Sequence, residues 1–328
     1  MKTLLLAGYG VRLRFRRGLL IVESKGEKRE VPLVDLEQVV IATSGVWLSS
    51  KVVRKLVEHG VDLVFLDSRG MPVGRVYPPF INKTVETRRA QYASYGTSRA
   101  LHVMREVVYG KIYNQASVLR KYYYNTRVEE LREAYERILE LANKARHLEA
   151  SFEEARERLR LVEAEAARIY WPSYALLLPR DLGFQGRDQD AGDPVNTVLN
   201  YSYGVLYAES WRALVLAGLD PYAGYLHVDR SGKPVLAFDF VEMFRFVADL
   251  AALNLFRRGW RPKVESGLLD YESRRRVVEA LNDYLENTKV TYIDEAPVSI
   301  RQAMKKAAYA LASYLRGDGA FEAFTYRW

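Results

Sequence analysis

Cysteine is absent from the 328-residue sequence, which excludes disulfides, thiolate-ligated zinc and a thiol nucleophile. Any metal would have to sit on oxygen and nitrogen ligands. Long hydrophobic runs are missing as well: LLLAG at the start and LVFL within VDLVFLD fall far short of the roughly 20 residues that a membrane-spanning helix needs. No bilayer crossing is expected. The opening MKTLLLAGYGVRLRF leads its short apolar patch straight into alternating arginines with no small-residue cleavage site, so it reads as a strand rather than a signal peptide and a cytoplasmic protein is expected. Internal repeats and low-complexity tracts are also lacking, and histidine is scarce at four residues.

What is abundant is positive charge and tyrosine. Lys and Arg number 49 against 41 Asp and Glu, a net charge of +8, and there are 23 tyrosines. Such a balance suits a polyanionic partner, although a solvated surface explains it equally well. The run RKYYYNTR at 120–127 sets rings that can stack on unpaired bases beside cations that can meet phosphates. Tyrosine is also a common core and interface residue.

Periodicity divides the chain. Val11, Leu13 and Phe15 alternate with Arg12, Arg14 and Arg16 as in a half-buried strand, and GLLIVESKGEKREVPL predicts a hairpin turning at Gly26. LEQVVIAT is a further strand. LSSKVVRKLVEHG predicts a short helix capped by Ser49 or Ser50 and ended by Gly60, ahead of the strand VDLVFLDSRG. Pro78 and Pro79 then punctuate the chain. Beyond residue 85 the period becomes helical, with helices expected around 87–125, 127–148, 150–171, from Pro194 onward, and at 239–257, 273–286 and 299–316. The expectation is an α+β protein: a small, mostly β domain over 1–80, then a larger all-α domain over 81–328.

Four residues stand out. Glu163 shares one helical sector with Leu159, Ala166, Ala167 and Tyr170, while Glu165 points almost the opposite way. A carboxylate on that inner face needs an ion pair, with one of the many arginines for example, or a bound cation. In GYLHVDRSGKPVLAFDFVEMFR, residues 224–245, Asp239 and Glu242 have the spacing of a capping box. The same spacing turns Asp239, Glu242 and Arg245 toward a common side of a helix. His227 precedes a turn at RSGKP that returns the chain toward Asp239. It is either a satisfied core residue or a partner for those carboxylates. Two carboxylates and an imidazole suit Mg²⁺ or Mn²⁺ with positions left open for phosphate oxygens.

Four ordered blocks in this sequence resemble those of the CRISPR-associated adaptation integrases, the "Cas-one" proteins. They are EAEAARIY from Glu163 to Tyr170, DPVNTVLNYSYG from Asp193 to Gly204, GLDPYAGYLH ending at His227, and LAFDFVEMFR from Leu236 to Arg245. Ala164 and Met243 depart from the family's usual Gly and Pro without removing a ligand. The resemblance implies a metal-dependent DNA integrase and endonuclease acting on double-stranded and branched DNA. It implies that Glu163, His227 and Glu242 are the catalytic metal ligands for Mg²⁺ or Mn²⁺, with Asp239 as a capping or supporting acid behind them. Tyr207 resembles a residue near the DNA end, and Arg187 and Arg245 are placed on phosphates by charge and position. A homodimer built through the β domain and a small partner, "Cas-two", are implied too. The rival readings are a non-catalytic DNA- or RNA-binding protein with structural carboxylates, and a hydrolase of small phosphate esters.

Overall fold

A computed structural model describes residues 3–24, 26–77 and 84–327. The strand-rich N-terminal part holds β1 (Thr3–Leu6), β2 (Val11–Arg16), β3 (Leu19–Ser24), β4 (Glu27–Pro32), β5 (Gln38–Ile41), β6 (Val46–Leu48), α1 (Ser50–Glu58), β7 (Asp62–Leu66) and β8 (Pro72–Val76). One sheet has the order β4-β3-β2-β6, with β2 and β3 forming an antiparallel hairpin and β6 joining β2 in parallel. The other has the order β1-β5-β7-β8, its first three strands parallel. The alternation in β2 buries Val11 and Leu13 and exposes Arg12, Arg14 and Arg16. The turn at Gly26 takes a φ of +84°. Ser49 caps α1 by accepting a hydrogen bond from the Val52 N–H. The sheet faces and α1 enclose a core that includes Leu13, Leu20, Val39, Leu56 and Leu63.

The strand β5 is buried at every position, and β7 at all but one. A sheet covered on both faces demands such unbroken apolar runs, and the second cover is helical: Val40, Val64 and Leu66 belong to the larger core. The helices are α2 (Thr84–Ala93), α3 (Ser98–Thr126), α4 (Glu129–Arg146), α5 (Phe152–Ala175), α6 (Pro194–Leu216), α7 (Val235–Val241), α8 (Phe246–Arg257), α9 (Tyr271–Asn287) and α10 (Ile300–Arg316). The helical part also carries two small hairpins that periodicity did not suggest: β9 (Val264–Glu265) with β10 (Leu268–Leu269), and β11 (Lys289–Tyr292) with β12 (Asp294–Ser299). Among the described residues no helix is long and apolar enough to cross a membrane.

Two helices differ from expectation. The segment expected as one helix over 87–125 is split at Ser94–Thr97, where Gly96 takes a φ of +75°. The helix expected at 239–257 begins earlier, right after Pro234, and is interrupted by one 3-10 turn at Glu242–Phe244. Phe240, Val241, Met243, Phe244, Phe246 and Val247 are all buried. A stretch that is apolar on every side offers no periodicity from which to place a start. The expected boundary at 80/81, with Pro78 and Pro79, lies outside the described residues.

The two parts are joined on α6. Buried Asp62 at the start of β7 accepts a hydrogen bond from Gln38 Nε2 (3.2 Å) and lies 3.6 Å from both Arg75 Nη2 and Arg212 Nε. The two arginines in turn donate across the junction, Arg75 to the Ala208 carbonyl (2.7 Å) and Arg212 to that of Glu37 (3.0 Å). Close packing completes the contact: a Cβ at Gly204 would stand 2.8 Å from the Arg69 carbonyl oxygen, and one at Gly70 would stand 2.6 Å from that of Tyr201. The glycine closing DPVNTVLNYSYG is thus required by backbone approach rather than by chemistry.

Candidate active site

Glu163 projects from the middle of α5, on the inner face that its 100° spacing predicts, and its side chain is 13% exposed. Glu242 lies in the 3-10 turn between α7 and α8, 3% exposed. The carboxylates are brought together by Lys111 of α3. Its ammonium nitrogen stands 2.9 Å from Glu163 Oε1 and 2.7 Å from Glu242 Oε2. Glu163 therefore does form an ion pair, but with a lysine where an arginine was weighed. Arg245 donates to the other Glu242 oxygen at 2.8 Å.

His227 sits in the segment between α6 and α7, with its side chain 46% exposed. It is not a core histidine. Asp239, buried near the end of α7, accepts hydrogen bonds from the backbone N–H groups of Tyr225 (2.7 Å), Leu226 (2.9 Å) and His227 (3.0 Å). It also accepts from His227 Nδ1 at 2.7 Å. This replaces the capping-box reading: α7 starts at Val235, four residues before Asp239, whose carboxylate instead folds the 225–227 segment back onto the helix. Because a carboxylate only accepts, the Nδ1–H is fixed on Asp239, and the neutral ring leaves Nε2 as a lone pair.

The electrostatics follow from burial and neighbours. Burial alone would raise the Glu242 pKa, but the charges of Arg245, Lys111 and His227 outweigh it and hold the group at about 2. Burial disfavours the Lys111 ammonium, yet Glu163 and Glu242 together leave its pKa above the ordinary lysine value. The hydrogen bond to Asp239 lifts His227 above the usual imidazole range against its partial burial, and Glu242 and Glu163 add to the rise. Glu242 thus acts on both Lys111 and His227 and is acted on by each. A raised folded-state pKa means that His227 stabilises the fold below the ordinary imidazole value and loses that contribution as pH rises through the folded one. NMR titration of the His227 ring should show an elevated pKa that falls in Asp239→Asn. An unchanged value would dissociate the pair.

Behind Glu242 the site is anchored by a set of groups that includes Tyr174, Tyr203, Asp249 and Asn114, which sequence reasoning did not single out. The Arg245 guanidinium lies 4.0 Å over the Tyr203 ring. The Tyr203 hydroxyl donates to Asp249 Oδ1 (2.6 Å), the Tyr170 hydroxyl to Asp249 Oδ2 (2.8 Å), and the Tyr174 hydroxyl to the Asp249 carbonyl (2.9 Å). Tyrosines from EAEAARIY and NYSYG therefore meet on one buried aspartate. On the opposite side, Asn114 of α3 donates to the carbonyls of Met243 (2.7 Å) and Phe324 (3.0 Å) and accepts from the Tyr326 N–H (2.6 Å). These bonds fix the turn that carries Glu242. Arg187 spans Asn196 Oδ1 (2.9 Å) and Asn200 Oδ1 (2.5 Å), with its guanidinium 5.4 Å from the Tyr203 ring. Tyr207 packs edge-on against Phe238, and its hydroxyl feels Arg245, Glu242 and Lys111. The 120–127 cluster forms a separate patch, with Arg120 and Arg127 over the Tyr124 ring.

The donor set fits a divalent ion: two carboxylates and an imidazole nitrogen whose other nitrogen is tied down. Glu242 Oε2 is buried and, although in ion-pair contact with Lys111, takes no hydrogen bond of regular geometry. Among the described residues, however, no three His, Asp or Glu side chains already stand close enough together to hold an ion. Lys111 stands between the carboxylates.

Comparison with known proteins places this arrangement. Residues 4–283 match the family model described as CRISPR associated protein Cas1. The chain belongs to the Cas1 family. A "CRISPR-associated endonuclease Cas1 1" from Pyrobaculum aerophilum is 39% identical over 276 residues, covering 83% of this chain and 87% of the relative. A solved "Casposase bound to integration product" superposes with a TM-score of 0.82 at 26% identity, over 99% of this chain and 93% of that one. A "Cas6-RT-Cas1--Cas2 complex" shares the fold, with a TM-score of 0.75 at 21% identity, over all of this chain and 36% of that one. In this Cas1 chain all four sequence blocks lie within the matched residues, and Glu163, His227 and Glu242 fall on three different elements of the helical part.

Proposed function

We propose that this chain is a CRISPR adaptation integrase, a divalent-metal-dependent DNA strand-transferase and endonuclease. It joins the 3′-hydroxyl of a foreign DNA fragment to the CRISPR repeat by transesterification. The observation that carries this reading is the bridging of Glu163 from α5 and Glu242 from the α7–α8 turn by Lys111, with the Asp239-oriented His227 near enough to feel both carboxylates. Family membership and the likeness to a casposase bound to integration product support it.

Glu163, Glu242 and His227 Nε2 would hold Mg²⁺ or Mn²⁺. A divalent ion supplies activation of an oxygen nucleophile and neutralisation of charge at phosphorus. The chain's own residues do the positioning. Asp239 keeps the imidazole in one tautomer and orientation. Arg245, pinned between Glu242 and the Tyr203 ring, holds that carboxylate in register, and with Arg187 it extends positive charge away from it. Tyr207 borders the same space and is proposed to lie near the DNA end, with Arg187 and Arg245 toward phosphates. The reading extends to a β domain over 1–80 serving a homodimer, a catalytic domain over 81–328, a cytoplasmic setting, and a Cas2 partner, as named in the complex that shares the fold.

A strand-transfer assay on CRISPR-repeat DNA in Mn²⁺ tests the proposal. Wild type should form joined product, while Glu163→Gln and His227→Ala form none and still shift duplex DNA in a gel. Equal product from all three proteins would end it.

A further inference from the structure

Lys111 stands where the carboxylates of the site would have to receive an ion. Its ammonium is 2.9 Å from a Glu163 oxygen and 2.7 Å from a Glu242 oxygen, while Arg245 holds the remaining Glu242 oxygen at 2.8 Å. The two carboxylates are therefore already balanced by two cations contributed by the chain. Placing two further positive charges beside Lys111 and Arg245 is unfavourable in a site this buried. Two routes relieve the repulsion: the ammonium leaves the carboxylates, or anionic oxygens arrive. DNA phosphates supply the second and give the ammonium somewhere to go, and a four-carbon stem allows the movement.

We infer that Lys111 is a built-in counter-cation that competes with the divalent ion for Glu163 and Glu242, so that the ion binds well only together with DNA. This rests on the reading that these carboxylates are metal ligands. They approach one ammonium of α3 from α5 and from the α7–α8 turn, and among the described residues no three acidic or histidine side chains stand ready as a preformed cage. A lysine that served only to clamp the fold would have the opposite signature. Its loss would scatter the carboxylates and weaken the ion's binding.

Mn²⁺ binding to the full chain, followed by the EPR signal of the free ion, tests this with and without a duplex carrying 3′-dideoxy ends, checked as uncut on a denaturing gel. For wild type, DNA should tighten Mn²⁺ binding by about 10-fold or more, and Mn²⁺ should tighten DNA binding by the same factor. Lys111→Gln and Lys111→Met should bind Mn²⁺ more tightly than wild type without DNA, and DNA should then add little. Melting curves run alongside should show that Mn²⁺ stabilises either variant more than it does wild type. A variant folded only with Mn²⁺ supports the inference, since the ion then replaces the ammonium. Weaker Mn²⁺ binding by the variants, no effect of DNA on wild type, or variants unfolded with and without Mn²⁺ would overturn it. Glu163→Gln separates the two levels. If it leaves Mn²⁺ binding unchanged, or wild type binds none, the metal reading itself fails; if it weakens binding while Lys111 has no influence, only the role of Lys111 does.

Discussion

Glu242→Gln is expected to lower strand-transfer and cleavage rates by at least about three orders of magnitude, roughly 4 kcal/mol of lost transition-state stabilisation. The carboxamide keeps the shape of the side chain and removes its charge. That charge faces Lys111 at 2.7 Å and Arg245 at 2.8 Å, and its interaction with the His227 ring raises the imidazole pKa. The site would be left with both cations and only Glu163 opposite them. With its pKa held at about 2, Glu242 is ionised throughout the working range. Its stabilising contribution is complete above the ordinary carboxylate value and is lost progressively as pH falls from there through the lowered folded-state value. Single-turnover rates at saturating DNA separate this effect from DNA affinity. If Glu163 and Glu242 share one ion, the double variant should lose hardly more than either single one. Losses that multiply would show two carboxylates working separately, and the shared centre would have to be abandoned.

The parts of this molecule that were legible in the sequence are those where local rules and tertiary structure agree. Alternation placed β2, glycine placed the turn at Gly26, and a serine placed the start of α1. Glu163 could be assigned to an inner face because its neighbours obey a 3.6-residue period, and the RSGKP turn made a meeting of His227 with Asp239 one of two open readings, the one the structure shows. Asp239 stayed open between a cap and a supporting acid, because D-x-x-E spacing is shared by a helix start and by an acid serving three backbone N–H groups from another segment. Lys111 left no local sign: a helical lysine looks the same whether it faces water or a carboxylate 52 residues away. Asp249 was hidden for a related reason. Its partners Tyr170 and Tyr203 lie 79 and 46 residues distant, and only packing brings the three helices together.

The largest loss of stability is expected from Arg301→Leu, which has no part in the chemistry. Arg301 opens α10, is 6% exposed, and joins four elements across the boundary between the strand-rich and helical parts. It pairs with Glu209 of α6 at 3.2 Å, donates to Asn282 Oδ1 of α9 at 2.7 Å and to Thr3 Oγ1 of β1 at 2.6 Å, and bonds Glu286 of α9 as well. Glu209 is itself 5% exposed, so leucine would strand a buried carboxylate. Breaking such a pair from one side costs about 3–5 kcal/mol, a large share of the roughly 5–15 kcal/mol that holds a folded domain together. Urea denaturation should register this as a lower midpoint at unchanged slope. The double variant Arg301→Leu, Glu209→Leu should recover much of it, because the penalty comes from the unpaired charge rather than from the pair. Hydrogen exchange adds a second readout: β1, which among the described residues pairs with β5 alone, should lose protection in Arg301→Leu before β7 does. A single variant within about 1 kcal/mol of wild type would mean that water reaches Glu209 and that the junction is held by packing at Gly70 and Gly204 instead.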